Sequence, residues 1–148
     1  MRSMDLMKTG KLTNDIEKEL AAAPDLKEYL SESQDRFVLE SVSSLLDELY
    51  KKSRLTKAEI ARRSGMSSVY LHQLFAGKRN PSRDKLISLS IGMSLPLDDT
   101  QRLLKRCGYA ELYARDKRDA IILYGILHGQ DLHQINDALF DQGADTLI

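Results

Sequence analysis

The sequence predicts an all-α protein. It has only three prolines, at 24, 81 and 96, and each falls where one helical pattern gives way to another. No stretch shows the sustained alternation of β-branched residues that a strand would need. The 148 residues, 42% hydrophobic and 30% charged, are enough for one compact domain with a helical appendage.

The basic residues are concentrated in the middle of the chain, although the net charge is zero. Residues 51–85 contain ten basic and two acidic residues, which gives +8, whereas residues 1–50 carry −5 and residues 86–148 carry −3. Such a block attracts a polyanion such as nucleic acid. On charge alone the alternative is a solvated helix surface, which is the more usual meaning of a run of charges.

The elements before this block are predicted to be an acidic arm and the first helix of a domain. Residues 1–36 read as a helical arm that DNA would repel. The apolar residues that follow fall on one side of a helix of about 15 residues; they are Phe37, Val38, Leu45, Leu46 and Leu49.

Residues 56–79 carry the pattern of two short helices joined by a tight turn. Thr56 and Glu59 have the spacing of a capping box, and Ser67 is placed to cap the second helix. Gly65 falls at the turn, where a left-handed backbone favours glycine, and Gly77 stops the second helix. The residues expected to face inward are Ile60, Ala61, Leu71, Leu74 and Phe75.

This segment resembles the helix-turn-helix of the lambda-repressor-like, or Xre-type, transcriptional regulators. The resemblance is carried by Ala61, Gly65, Leu71 and Leu74 in register, with Ile60 and Met66 beside them, and by the run Phe75-Ala76-Gly77-Lys78-Arg79 before Pro81. It implies a five-helix DNA-binding core over residues 37–108. One departure is Lys57, where the family often has a glutamine that touches phosphate and supports a base contact.

The resemblance implies that the second motif helix enters the major groove of DNA. The outward residues expected to contact bases are Ser68, Val69, His72 and Gln73. Among them, Gln73 suits adenine and Val69 suits the methyl group of thymine. The residues expected to hold phosphates are Lys57, Ser67, Tyr70, Lys78 and Arg79. Long-range attraction is expected from Arg62, Arg63 and Arg83.

Residues 109–148 are predicted to form a C-terminal extension of two helices, at about 117–128 and 132–142. Residues 120–124 are apolar nearly all round and predict burial on several sides, and Leu132, Ile135, Leu139 and Phe140 predict one buried stripe. Three roles are open for the extension, namely packing on the core, a dimer interface, or a docking surface for another protein. Packing with some contribution to a dimer is the favoured interpretation.

Nothing in the sequence indicates an enzyme, a metal or a cofactor. The histidines His72, His128 and His133 have no Cys or Asp cluster beside them that would complete a metal site. The single cysteine, Cys107, reads as a small apolar residue in a reducing compartment. With no secretory signal and no apolar run long enough to cross a membrane, the expected location is the cytoplasm.

The sequence therefore predicts a transcriptional regulator that binds double-stranded DNA sequence-specifically, as a homodimer on an inverted-repeat operator. The alternative is an antitoxin-like or adaptor protein whose helical tail binds a protein partner, since a fold does not settle a function. An adaptor would be expected to show large apolar or acidic groups on the outward face of the second motif helix. The residues found there are Ser68, Val69, His72 and Gln73, beside the block of charge +8, and they favour DNA.

Overall fold

A computed structural model describes residues 13–32 and 42–148 of the protein, and all regular structure in these ranges is helical. The predicted all-α fold is confirmed. The chain divides into two units, residues 1–39 and residues 40–148. Phe37 and Val38, which were predicted to belong to the first core helix, lie outside the described residues.

The described residues of the first unit, 13–32, form two short helices, α1 (Thr13–Ala22) and α2 (Leu26–Glu32). Asp25 caps α2, because its Oδ2 accepts a hydrogen bond from the backbone N–H of Glu28 at 3.3 Å. The leucines Leu20, Leu26 and Leu30 remain 44% to 64% exposed. None of these three leucines is therefore part of a buried core.

The second unit begins with the five helices that the sequence predicted. They are α3 (Val42–Ser53), α4 (Lys57–Arg63), α5 (Ser68–Phe75), α6 (Arg83–Gly92) and α7 (Leu97–Arg106). The C-terminal extension adds α8 (Lys117–Leu127) and α9 (Leu132–Asp141). Buried side chains from all seven helices form one hydrophobic core.

Helix α6 lies at the centre of this unit. It contacts α4, α7 and α9, and every residue from Leu86 to Gly92 is buried. Small residues allow the neighbouring helices to come close: a Cβ added at Gly92 would lie 1.9 Å from Ser64 Oγ on the α4 side. The buried hydroxyl of Ser90 donates to the carbonyl oxygen of Leu86 at 2.9 Å, which satisfies it within the helix.

Two ion pairs join the extension to α6. Arg83 donates to both carboxylate oxygens of Asp119, at 2.9 and 3.2 Å, and Arg118 donates to both of Asp84, at 3.0 and 3.1 Å. Asp119 is 6% exposed and also accepts from the backbone N–H of Tyr113 at 3.0 Å. These bidentate pairs fix the first turn of α8 against the first turn of α6. Packing on the core is thus one role that the extension has.

Two aromatic residues of the extension, Tyr124 and Phe140, were predicted to be buried, and this prediction is wrong. Tyr124 is 57% exposed and Phe140 is 76% exposed. Helix α8 buries one side only, and the Tyr124 ring stacks on the ring of His128, the C-cap residue of the helix, with the ring centroids 3.9 Å apart. In α9 the buried residues are Leu132, Ile135 and Leu139, and Phe140 points about 100° away from Leu139.

At Gly125 of α8 there is no room for a side chain beside α9, and replacing this glycine by alanine is expected to lower stability. The new Cβ would lie 2.3 Å from Cγ1 and 2.6 Å from Cδ1 of Ile135. Such overpacking costs about 1–3 kcal/mol, which outweighs the gain of up to about 1 kcal/mol that alanine brings to a helix. The midpoint of urea unfolding should therefore fall. In a double-mutant cycle, Ile135→Ala should cost less stability beside Gly125→Ala than alone; equal costs would contradict the clash.

Candidate nucleic-acid interface

The turn between α4 and α5 has the geometry that the sequence predicted. Gly65 adopts a left-handed backbone with φ +66°, and the N–H of Met66 donates to the carbonyl oxygen of Ala61 at 2.9 Å. Ala61 is buried, as expected for a residue predicted to face inward. Ile148 from the end of the extension lies beside Gly65, since a Cβ there would be 2.9 Å from Ile148 Cδ1.

Both motif helices begin with the caps expected from their spacing. Glu59 N–H donates to Thr56 Oγ1, and Thr56 N–H donates to Glu59 Oε1, each at 3.1 Å. The hydrogen bonds from Thr56 hold the pKa of the Glu59 carboxyl below its usual value. Ser67 Oγ accepts from the backbone N–H of Tyr70 at 3.1 Å and so caps α5. Its hydroxyl hydrogen is still available to donate to a phosphate.

The two sides of α5 differ in burial as predicted. Leu71, Leu74 and Phe75 are buried against the core. The four residues expected to contact bases lie on the other side, where Ser68, Val69 and His72 are exposed and Gln73 is half-buried. Val69 has 68% of its surface exposed, so its side chain is open to contact. Their contact with bases remains a prediction.

Two of these side chains are held in place by hydrogen bonds. His72 Nδ1 lies 2.7 Å from the backbone oxygen of Ser68. Because a carbonyl oxygen only accepts, Nδ1 carries the hydrogen and Nε2 is the ring atom that remains available. Gln73 Oε1 accepts a hydrogen bond from Arg79 Nε at 2.7 Å, across the loop that follows α5.

The residues expected to hold phosphates surround this face in different environments. Lys78 and Arg79 are exposed in the loop after Gly77, whose φ is +75°. Tyr70 is half-buried, with Arg79 Cζ 5.7 Å from its ring centroid. Lys57 Nζ lies 4.8 Å from the ring centroid of Phe75, the last residue of α5. This cation–π contact keeps the ammonium group at the C-terminal end of that helix.

Lys85 is a further cation at this surface that the sequence analysis did not single out. Its Nζ lies 5.5 Å from the centroid of the Tyr70 ring. The Tyr70 ring is therefore contacted by two basic side chains, those of Lys85 and Arg79. Lys85 stands in the first turn of α6, where its N–H donates to the cap Ser82 at 3.2 Å. Its position inside the basic block was the only sequence signal for it.

Arg83 does not have the role expected from the sequence. Besides its pair with Asp119, it donates to the carbonyl oxygens of Ala110 and Glu111, at 2.9 and 3.1 Å. Its charge is neutralised locally, because the partner carboxylate is at hydrogen-bond distance. Arg83 therefore holds the extension, and long-range attraction of DNA by Arg62 and Arg63 remains a prediction.

Within the described ranges, no group of three or more His, Cys, Asp or Glu residues is arranged to hold a metal ion. No helix in this part of the chain is both long enough and apolar enough to span a bilayer.

Arg62 and Arg63 line an open groove of about 600 Å³ beside α9, and Arg63 also donates to Ser94 Oγ.

Comparison with protein families identifies the segment that forms this surface. Residues 46–99 match the family described as helix-turn-helix. The match runs from α3 to the first turn of α7 and contains both motif helices. No curated protein and no solved structure matches the chain. The family match confirms the resemblance drawn from the sequence.

Ser67→Ala tests the cap of α5. The substitution removes the oxygen that accepts from Tyr70 N–H, and loss of such a cap costs about 1 kcal/mol. The midpoint of urea unfolding should fall accordingly. Ser68→Ala is the matched control, because Ser68 is the exposed first residue of the helix and should leave the midpoint unchanged. Identical midpoints for Ser67→Ala and the parent protein would contradict the cap.

Proposed function

We propose that this chain is a transcription regulator that binds specific DNA sequences through its helix-turn-helix segment, residues 46–99. It acts as a homodimer on an inverted-repeat operator. In this proposal α5 enters the major groove and the residues around it hold the DNA backbone. One observation carries it: α5 buries Leu71, Leu74 and Phe75 and leaves its opposite side open beside exposed cations.

The open side of α5 suits base edges better than it suits a protein surface. Ser68 and Val69 are short, and Gln73 and His72 present hydrogen-bonding atoms, so the side offers donors, acceptors and one methyl-sized contact. Large apolar groups and acids are missing from these four positions. The flanking Lys78 and Arg79 supply the positive charge that fixes a protein on the phosphate backbone.

The small size of this reading surface supports the proposal of a dimer. An eight-residue helix reaches only a few base pairs, and regulators of this kind gain specificity by placing two such helices in successive major grooves. The two half-sites would then lie about 34–36 Å apart on an inverted repeat. Regulation would follow from occupancy of the operator, without an enzymatic step.

A second candidate function is binding of a protein partner through the C-terminal helices. Tyr124, Leu127 and Phe140 are 57%, 66% and 76% exposed, and large apolar side chains are enriched where proteins meet. An antitoxin-like protein would combine such a surface with DNA binding, and an adaptor would use it without DNA.

Selection from a randomised duplex DNA library at physiological salt tests the proposal. Enrichment of an inverted repeat with half-sites one helical turn apart is expected, and the complex should contain two protomers. Enrichment of a single half-site bound by one protomer would contradict the homodimer. If a folded sample enriched no sequence, the protein-binding candidate would be favoured.

Lys78→Ala tests the phosphate contacts. If each protomer neutralises about four phosphates, the log–log dependence of the binding constant on salt should have a slope near −7 for a dimer. Removing one contact in each protomer should weaken binding to all sequences alike and make that slope shallower by about 2 for the dimer, or about 1 per protomer. Binding titrations at several salt concentrations, on selected and random DNA, give both quantities; a loss confined to the selected site would contradict the role.

Gln73→Ala tests base reading. Loss of a bidentate contact with adenine should cost about 1–3 kcal/mol on the selected site, for each half-site, and little on random DNA. Competition binding between the two DNAs measures the difference. Equal losses on both would sink the assignment of Gln73 as a base contact.

A further inference from the structure

We propose that Arg79 is a positioning residue for base reading: it fixes the amide of Gln73 in one orientation and thereby contributes to sequence discrimination. The inference rests on the proposed function, and it gives Arg79 a second role, the positioning of Gln73, beside the phosphate contact predicted from the sequence. The observation behind it is the hydrogen bond from Arg79 Nε to Gln73 Oε1, at 2.7 Å, between the loop and the exposed side of α5.

This hydrogen bond determines which way the amide points. A guanidinium group only donates, so the amide atom that faces it must be the oxygen, and Nε2 of Gln73 is turned away from Arg79. An amide without such a neighbour can present either atom. Because a glutamine side chain also has several rotatable bonds, the contact removes conformations that would otherwise be lost when DNA binds.

Arg79 is itself held in position. Its guanidinium carbon lies 5.7 Å from the centroid of the Tyr70 ring, and Tyr70 is half-buried. The loop that carries it is fixed by Gly77, with φ +75°, and by the hydrogen bond from Lys78 N–H to the carbonyl oxygen of Gln73 at 2.9 Å. The residue is therefore placed by contacts that exist before DNA is bound.

The orientation matches adenine. A carbonyl oxygen has two lone pairs, so Oε1 of Gln73 can accept from Arg79 and from the N6 amino group of adenine, while Nε2 donates to N7. Four N–H donors of Arg79 remain beyond the one on Nε, and these can bind a phosphate oxygen. One arginine would thus couple the position of the DNA backbone to the orientation of the base-reading amide.

The test compares Arg79→Ala with Lys78→Ala, which removes the same charge from the neighbouring exposed position. For each protein, dissociation constants are measured on the selected site and on a site changed at the base pair where Gln73→Ala loses discrimination. The ratio of the two constants should fall roughly five- to tenfold for Arg79→Ala, a part of the value of a bidentate contact. It should stay unchanged for Lys78→Ala, although both variants bind more weakly.

Three further measurements separate positioning from other roles. In a Gln73→Ala background, Arg79→Ala should weaken binding to both DNAs equally, because no amide remains to be positioned. Arg79→Lys should recover affinity but not the full ratio, because an ammonium lacks the planar fork of a guanidinium. Urea midpoints should match the parent, since Arg79 is exposed.

An unchanged ratio for Arg79→Ala would overturn the inference and leave Arg79 as a phosphate contact. A fall in the ratio that persists without Gln73 would also overturn it, because Arg79 would then read a base directly. Failure of the parent protein to discriminate between any DNAs would overturn the proposed function, and the inference with it. The first two results leave the proposed function standing, so the failures are distinguishable.

Discussion

The burial of α6 on all its sides is the constraint on which the rest of this structure depends. Every residue from Leu86 to Gly92 is buried, because α4, α7 and α9 pack around the helix. Close approach on the α4 side is possible only because Gly92 has no side chain to meet Ser64. Since α5 follows α4 through the fixed turn at Gly65 and also packs on α3, the direction of its exposed side depends on how α4 is held against α6.

This close packing has a cost. The buried hydroxyls of Ser64 and Ser88 have no hydrogen-bond partner in the described part of the protein, and an unsatisfied buried group costs about 1–3 kcal/mol. Because serine is small, the helices at Ser64 and Ser88 can lie close to their neighbours and make apolar contacts with them. The paired charges of Arg83 with Asp119 and of Asp84 with Arg118 close the first turn of α6 against the extension.

Features that depend on local spacing were predictable from the sequence. The caps at Thr56 and Ser67 and the left-handed Gly65 follow from which atoms are three or four residues apart, and the five core helices follow from their apolar periodicity. The family match over residues 46–99 confirms the resemblance to helix-turn-helix regulators that these features supported. The assignment of base and phosphate contacts, and the division of the chain at 36 and 108, remain predictions.

Features that depend on distant residues were not predictable. The exposure of Tyr124 and Phe140 depends on which sides of α8 and α9 find a neighbour, and their own periodicity does not reveal it. Arg83 finds Asp119 thirty-six residues later, and Lys57 meets the ring of Phe75 only after the motif has folded. The Arg79–Gln73 contact crosses a loop whose path is set by Gly77. Each would have required knowledge of the packing.

The contact between Gln73 and Arg79 bears on how such a surface could acquire a new operator. Ser68 and Val69 are exposed on α5, so under the proposed mode of binding they could be exchanged singly without disturbing their surroundings. Position 73 is different, because its partner lies in another segment. A change of preference there would need paired substitutions at 73 and 79, and libraries intended to redirect this protein should vary the two positions together.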